Sequence, residues 1–331
     1  VSDIISVEDL VAVYSDGTRA LDGISFRVKE GEFFGFLGPN GSGKSTTIKV
    51  LTTLLRKTSG HASIAGFDLD HSPKEIRKII GVLNQETVVD VDLTGKENLR
   101  FQGRLQQIFG SALEDRVKEL MKMVELEEFA DKPAGRYSGG MKKRLDLASA
   151  LIHHPKLLFL DEPTTGLDPQ SRASIWDYLG KLNKEEGITT FLTTQYLEEA
   201  DKLCRRLCII DHGKAIAGGS PTELKQAIGH DTITISLKDP DDVTLRSETK
   251  KVLLGIRGVE DVTDSDGGIT AHAKNASEML ADIVTALDRN SIRPVAMSVS
   301  SPTLDDVFLH HTGRRIRSEE LAVKATEPYQ M

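Results

Sequence analysis

The run GPNGSGKST, Gly38 to Thr46, carries the residue types needed to hold a phosphate. It matches the spacing G-x-x-x-x-G-K-[ST]. Gly38, Gly41 and Gly43 let backbone N–H groups turn toward an anion, and Pro39, Asn40, Ser42 and Thr46 complete the loop around it. FFGFL before the loop reads as a strand and STTIKVLTTLL after it as a helix. The loop therefore opens onto a helix N-terminus, whose dipole favours negative charge. From there Lys44 reaches the β- and γ-phosphates of a nucleotide, and the Ser45 hydroxyl is a ligand for Mg²⁺. An ordinary Gly-rich turn would need none of this context.

Such a loop requires a second metal anchor. LLFLDEP supplies it, an apolar strand ending in Asp161 and Glu162. Asp161 is expected to hold Mg²⁺, directly or through water. Glu162, one residue further, is expected to orient the attacking water and accept its proton. Two solvated acids at a strand end are the plainer reading, weakened by the loop upstream. These two motifs indicate an ATP- or GTP-hydrolysing protein. YSGGMKKRLDLASAL adds a second anion site, because Ser138, Gly139 and Gly140 start another helix with bare amides and a hydroxyl. Taken alone, that feature reads equally as a plain helix cap. If one nucleotide uses both sites, two copies pack head to tail in a two-fold dimer with two composite sites.

FLTTQYLEEADKL poses a further question. Gln195 stands at the tip of an apolar, Thr-rich strand, just before a helix with an acidic first turn. That is where α/β folds bind ligands. Gln195 either touches a ligand or caps the helix.

The elements that must position these residues are legible along the chain. IISVEDLVAVY alternates and reads as a strand, and ALDGISFRVKEGEFFGFLG reads as two strands around KEGE. A short strand GHASIAG, a helix KEIRKII and a strand GVLNQ follow. From Thr94 to about His154 the pattern is helical and charge-rich, opened by a capping box at Thr94 and Glu97. PQSRASIWDYLGKLNKEEG is an amphipathic helix closed by Gly187, ITTFLTT a strand, and LCIIDHGKAIAGG a hairpin through His212 and Gly213. From Asp231 the order is strand, helix, strand, strand, helix, strand, the ferredoxin-like pattern, with one more helix in TLDDVFLHHTG. The tail after Gly313 lacks periodicity and reads as a flexible end. Its RRIR suits either solvent or an anionic lipid surface.

The set of motifs, in this order, resembles the ATP-binding cassette (ABC) ATPases, with SGGM shortly before LDEP as their signature. The resemblance covers Ile4 to about Gly229. It implies an α/β P-loop cassette with a mixed sheet core, N-terminal antiparallel strands and a helical subdomain at about 94–154. It implies ATP and Mg²⁺ as cofactors. Tyr14 resembles the aromatic that stacks on adenine, a core tyrosine being the alternative. Gln85 resembles the glutamine that senses Mg²⁺ and water and hinges the helical region. Asp168 resembles the residue that crosses the dimer seam. YSGGM…RLDLA, LTTQYLEEAD and PTLDDVFLHHTG together narrow the resemblance to the ATP-binding subunits of daunorubicin-resistance-type exporters. For that family the expected partners are a separate polytopic membrane permease and a second ATPase chain, identical or related. The expected work is outward transport of a drug-like or lipid-like hydrophobic compound, from the cytoplasmic face of the membrane. The cassette is assigned to 1–229, a small α+β domain to 230–312 and the tail to 313–331.

Two residues depart from the wider family. Tyr137 stands where Leu is usual, and Gln195 where most members have a histidine that contacts the γ-phosphate. A glutamine NH₂ donates a hydrogen bond as a neutral imidazole does, but it carries no titratable proton. Gln195 would then sense the γ-phosphate, leaving Glu162 as the evident base and Lys44 as the charge stabiliser.

Bulk properties bound these readings. The chain has 331 residues, 39% hydrophobic and 28% charged. That is length for two domains and an ordinary soluble composition. No apolar run approaches the roughly 18 residues that span a bilayer. The acidic start VSDIISVEDL lacks the basic, then apolar, pattern of a signal peptide. A net charge of -8 argues against a general nucleic-acid binder. Cys204 and Cys208 are two thiols, too few to close a zinc site. The competing classes are a soluble ABC ATPase acting on ribosomes or DNA, and a P-loop metabolic kinase. The first usually doubles or splits its cassette, and the second has no use for SGGM.

Overall fold

The computed structural model describes residues 2–313 apart from 230, 240–241, 266–267 and 274–275. The expected tail beyond Gly313, with its RRIR, lies outside the described residues. Two compact units divide at Pro221/Thr222.

The first unit begins with β1 (Asp3–Val13) and β2 (Arg19–Lys29), an antiparallel pair. β3 (Phe33–Leu37) follows β2 after a short turn yet enters a different sheet. The reason is burial. All five residues of FFGFL are buried, as a strand covered on both faces must be, whereas β1 and β2 keep exposed positions along their length. α1 (Lys44–Leu51) leaves the phosphate loop. It ends four residues short of the apolar run because the Thr52 hydroxyl donates to the Ile48 carbonyl and Thr53 adopts φ 63°. β4 (Ser59–Ile64) pairs with β1, and β5 (Phe67–Asp68) completes a four-stranded antiparallel sheet in the order β2-β1-β4-β5.

α2 (Pro73–Ile79) leads into β6 (Ile80–Leu83). The strand stops at Leu83, so Asn84 and Gln85 are exposed loop residues beyond its end. The helical region then holds α3 (Gly95–Leu105), α4 (Gly110–Met123) and α5 (Gly139–Ala150). Its expected capping box is present: the Glu97 amide donates to Thr94 Oγ1 and the Thr94 amide to Glu97 Oε2. β7 (Leu157–Asp161), α6 (Pro169–Glu186), β8 (Thr189–Thr194), α7 (Leu197–Leu203), β9 (Arg206–Asp211) and β10 (Lys214–Gly219) complete the unit. Asp168 caps the start of α6 and Gly187, at φ 66°, ends it.

These strands build a six-stranded sheet in the order β10-β9-β3-β8-β7-β6, parallel except for β10 at one edge. β3 and β8 lie side by side at its centre, and β7 is the other neighbour of β8. The phosphate loop, Asp161 and Gln195 therefore all emerge at the C-terminal ends of adjacent strands. Phe26, Phe34, Phe36, Phe159 and Phe191 stack between the antiparallel and parallel sheets at centroid distances of 5.2–5.8 Å. This aromatic layer fixes the strand ends that carry the chemistry.

The second unit starts with α8 (Pro221–Ile228) and β11 (Asp231–Ser236). α9 (Val243–Leu254), β12 (Val259–Ser265), β13 (Gly268–Ala273), α10 (Ala276–Arg289), β14 (Ala296–Ser300) and α11 (Leu304–Thr312) follow. The sheet order β12-β13-β11-β14 is antiparallel throughout, so β11 and β12 run parallel with β13 inserted between them. That is the split βαβ arrangement of a ferredoxin-like unit. Ile233, Ile235, Ile269 and Ala271 face a core with Leu253, Ile283 and Leu287 from the helices.

Candidate active site

The phosphate loop is shaped by its neighbours. A Cβ on Gly38 would strike the Ile210 carbonyl, and one on Gly43, at φ 112°, would lie 2.7 Å from the Ala20 carbonyl. Only glycine lets the loop pass this close to β9 and β2. Lys44 is buried at the base of α1. Its ammonium donates to the Gly38 and Pro39 carbonyls at 2.7 and 3.0 Å and stands 3.1 Å from Glu162 Oε1.

The two acids are held differently. Asp161 Oδ1 accepts from the Ser45 hydroxyl at 3.2 Å and from the Thr193 hydroxyl at 2.6 Å. Glu162 has a left-handed backbone, φ 47°, uncommon for any residue but glycine. Its amide donates to the Thr193 carbonyl at 3.0 Å, and Thr165 donates to its Oε2 at 3.3 Å. A strained backbone over-determined by its surroundings is a feature of functional sites. Thr193, fully buried on β8, thus braces both acids; sequence reading missed it. Its signal is a hydroxyl repeated within the otherwise apolar TTFLTT.

A cavity of about 640 Å³ opens on this centre. Tyr14, Asn40, Gly41, Gly43, Lys44, Ser45, Thr46, Gln85 and Glu162 line it, as the motif reading expects of a nucleotide site. The Tyr14 hydroxyl meets Thr46 Oγ1 at 3.1 Å. Thr18, Arg19, Ala20, His212 and Gly213 also line the cavity and were not anticipated. The β9–β10 turn gets there because the Gly213 amide bonds the Ser42 carbonyl and its carbonyl accepts from Asp22. Gly38, Pro39 and Ser42 form the loop's inner wall and do not line the cavity. The Ser42 hydroxyl is buried with no partner among the described residues.

Ser138, Gly139, Gly140, Asp168 and Gln195, all expected at the nucleotide, stand apart from the cavity in a single chain. Ser138 caps α5 and accepts from the Met141 amide at 3.2 Å, while Ser138 and Gly139 stay exposed. A side chain on Gly140 would crowd the Ser171 hydroxyl on α6 at 3.1 Å. Asp168 is exposed, and the Ser171 hydroxyl and amide hold its carboxyl below the usual range. Tyr137, at the family's Leu position, is buried, and its hydroxyl donates to the Phe129 carbonyl at 2.6 Å. Gln195 is buried beyond the end of β8 and does not line the cavity. Its neighbour Thr194 accepts from the Gly38 amide at 3.2 Å.

The donor set suits a hard divalent cation. The Ser45 hydroxyl, the Asp161 carboxylate and the Gln85 amide offer oxygen donors, the type Mg²⁺ selects. No cluster of three His, Cys, Asp or Glu that could hold a metal occurs among the described residues. A metal here would be shared with phosphate oxygens and water, as Mg²⁺ is in nucleotide sites.

Comparisons with known proteins agree with this geometry. The ABC transporter family profile matches residues 21–165, and that of the C-terminal domain of DrrA1-3-like ATP-binding proteins matches 219–312. The daunorubicin resistance ATP-binding protein DrrA2 of Streptomyces coeruleorubidus is 40% identical over 91% of this chain and 93% of its own length.

The chain belongs to the ABC transporter ATP-binding proteins of the daunorubicin-resistance type.

A Nod factor export ATP-binding protein of Ralstonia nicotianae is 36% identical over 95% of both chains. The solved dimeric cassette MJ0796, in a post-hydrolysis state with ADP and Pi, superposes with a TM-score of 0.59 at 29% identity, over 65% of this chain and 98% of that one. The chain is therefore an ABC ATPase that couples ATP hydrolysis to transport in an exporter. The ribosome or DNA alternative finds no support. No helix among the described residues is long and apolar enough to cross a membrane.

Proposed function

We propose that two ATPase chains bind ATP–Mg²⁺ between them, each phosphate loop facing the Ser138–Gly140 helix start of the other. One observation carries this reading. Within a single chain the phosphate loop lines the cavity, whereas the exposed Ser138 and Gly139 amides do not. A second copy offers those amides to the far side of the nucleotide, where a helix N-terminus stabilises the γ-phosphate. Asp168, exposed at the start of α6, the helix whose Ser171 approaches Gly140, is assigned to the same seam.

In this account Lys44 releases Glu162 when a γ-phosphate takes its ammonium. Glu162 then accepts the proton of the attacking water. Ser45, Asp161 and Gln85 hold Mg²⁺, which neutralises charge on the β- and γ-oxygens when bound. Tyr14 carries the adenine, and such stacking contributes about 1–3 kcal/mol. Gln195 contacts the γ-phosphate once the dimer closes. Loss of that phosphate releases the seam.

The work is delivered to a polytopic membrane permease at the cytoplasmic face. α3 exposes Phe101 and Leu105 one turn apart, followed by exposed Phe109, an apolar group suited to a protein partner. The cargo class is a hydrophobic, drug-like or lipid-like compound, argued from relatives named for daunorubicin and Nod factor export. The C-terminal unit, Thr222–Gly313, is assigned to assembly. Expressing the chain with and without its membrane partner in a drug-sensitive host tests the cargo class. The expected outcome is resistance only with both chains and with Lys44 intact; resistance retained by Lys44→Ala contradicts it.

A further inference from the structure

α5 carries the Ser138–Gly140 site at its N-terminus, and one turn inside that helix are two charged side chains that neither phosphate site uses. Lys143 and Asp146 are both buried. The Lys143 ammonium donates to the Asn84 carbonyl at 2.8 Å and to the Gln85 carbonyl at 3.1 Å. Asp146, three residues on and hence on the same helix face, has its carboxyl near the Val88 amide, which favours its charged form. The cation holds two carbonyls at one end of the Asn84–Val88 loop, and the carboxylate faces the amide at the other. Apart from these contacts the loop is open, with 84–88 all exposed.

Neither charge is easily accounted for by stability alone. Burial lowers the Lys143 ammonium and pushes the Asp146 carboxyl up to about 6. Asp146 Oδ2 has no partner among the described residues. Two apolar side chains would pack α5 without that desolvation penalty. What they could not do is fix the loop's register relative to the helix. Gln85 lines the chain's own nucleotide cavity, while Ser138 and Gly139 do not.

We propose that Lys143 and Asp146 are positioning residues that lock the Gln85 loop to the Ser138–Gly140 helix, so that the state of one nucleotide site is passed to the other. This rests on the head-to-tail dimer proposed above. In that dimer Gln85 reads the chain's own γ-phosphate and the α5 N-terminus serves the partner's. A shift of Gln85 drags the Lys143 ammonium, and α5 moves as a rigid body. The two sites then bind ATP cooperatively.

The test uses the full-length chain in a Glu162→Gln background, where bound ATP persists. Three variants are compared: Lys143→Met, Asp146→Leu and Lys143→Arg. ATP-driven dimer formation is followed by size-exclusion chromatography across ATP concentrations. Binding of a fluorescent ATP analogue is measured separately on dilute, single chains. The expected result for Lys143→Met and Asp146→Leu is single-chain affinity within about twofold of the parent, with the dimerisation midpoint raised roughly tenfold. In the Glu162 parent, the Hill coefficient for hydrolysis falls toward one. Lys143→Arg keeps the cation and its donors and restores the midpoint, which separates a lost clamp from a misfolded helix. Parental midpoint and Hill coefficient in both Lys143→Met and Asp146→Leu overturn the clamp. A parent chain that stays monomeric at saturating ATP overturns the dimer itself.

Discussion

Lys44 and Glu162 stand 3.1 Å apart with both side chains buried. A γ-phosphate that enters the loop must take the ammonium from the carboxylate, so substrate binding itself frees the base. Glu162→Gln is expected to keep ATP binding and lose turnover by 10²-fold or more, the scale of losing a positioned base. Lys44→Ala is expected to lose turnover by on the order of 10²-fold or more as well. Steady-state kinetics with parallel nucleotide-binding measurements separate the two effects. Thr193→Val is nearly isosteric and removes the hydroxyl that braces Asp161 at 2.6 Å. It should weaken Mn²⁺ binding in the presence of ATP, read by electron paramagnetic resonance, while the metal-free affinity for ATP stays the same.

His153 supplies a pH prediction at the same scale. Burial lowers its imidazole, and its Nε2 donates to the Ile80 carbonyl at 2.9 Å. The folded chain therefore binds fewer protons at this site than the unfolded chain near pH 6.5, the ordinary value. Its contribution to stability is present above that value and is lost as pH falls through the lowered one. Melting temperatures of the parent and of His153→Gln should converge, or cross, on going from pH 7.5 to 5.5. A constant difference would contradict the assignment.

At the scale of elements, much of the site was legible because its residues are tied to strand ends. GPNGSGKST and LLFLDEP each follow an apolar run, and the structure sets both runs in one parallel sheet. The capping box at Thr94 was readable for a similar reason, since its bonds are local. Thr94→Ala should destabilise the helical region by about 1 kcal/mol, measured by denaturant unfolding. What the sequence did not disclose depends on contacts between distant segments. Thr193 reaches Asp161 across β7 and β8, Lys143 reaches Asn84 from another helix, and the His212–Gly213 turn meets the phosphate loop through Ser42. No local pattern encodes such pairs. Glu199 is a further case. It looks like an ordinary acid in a helix's first turn, yet it is fully buried and accepts from Thr164 at 2.9 Å and Trp176 at 2.8 Å. The ends of α1 and β6 were overestimated because hydroxyl bonding and loop exposure, not hydropathy, set them.

At the scale of the molecule, the split βαβ order of the second unit followed from element order alone, because the sheet order β12-β13-β11-β14 is the one such connections favour. The composite nature of the ATP site is a different matter. It concerns two chains, and a single sequence records only that two anion sites exist on different helices. A mixture of two inactive variants, Lys44→Ala and Gly139→Asp, tests it most directly. In a head-to-tail dimer each homodimer has one defect in both sites. The mixed dimer gathers both defects in one site and leaves the other intact. ATPase activity on mixing is expected to reappear, up to about a quarter of the parent, since random pairing makes half the dimers mixed and each mixed dimer holds one intact site. No recovery, with mixed dimers demonstrated in the sample, would contradict the shared site.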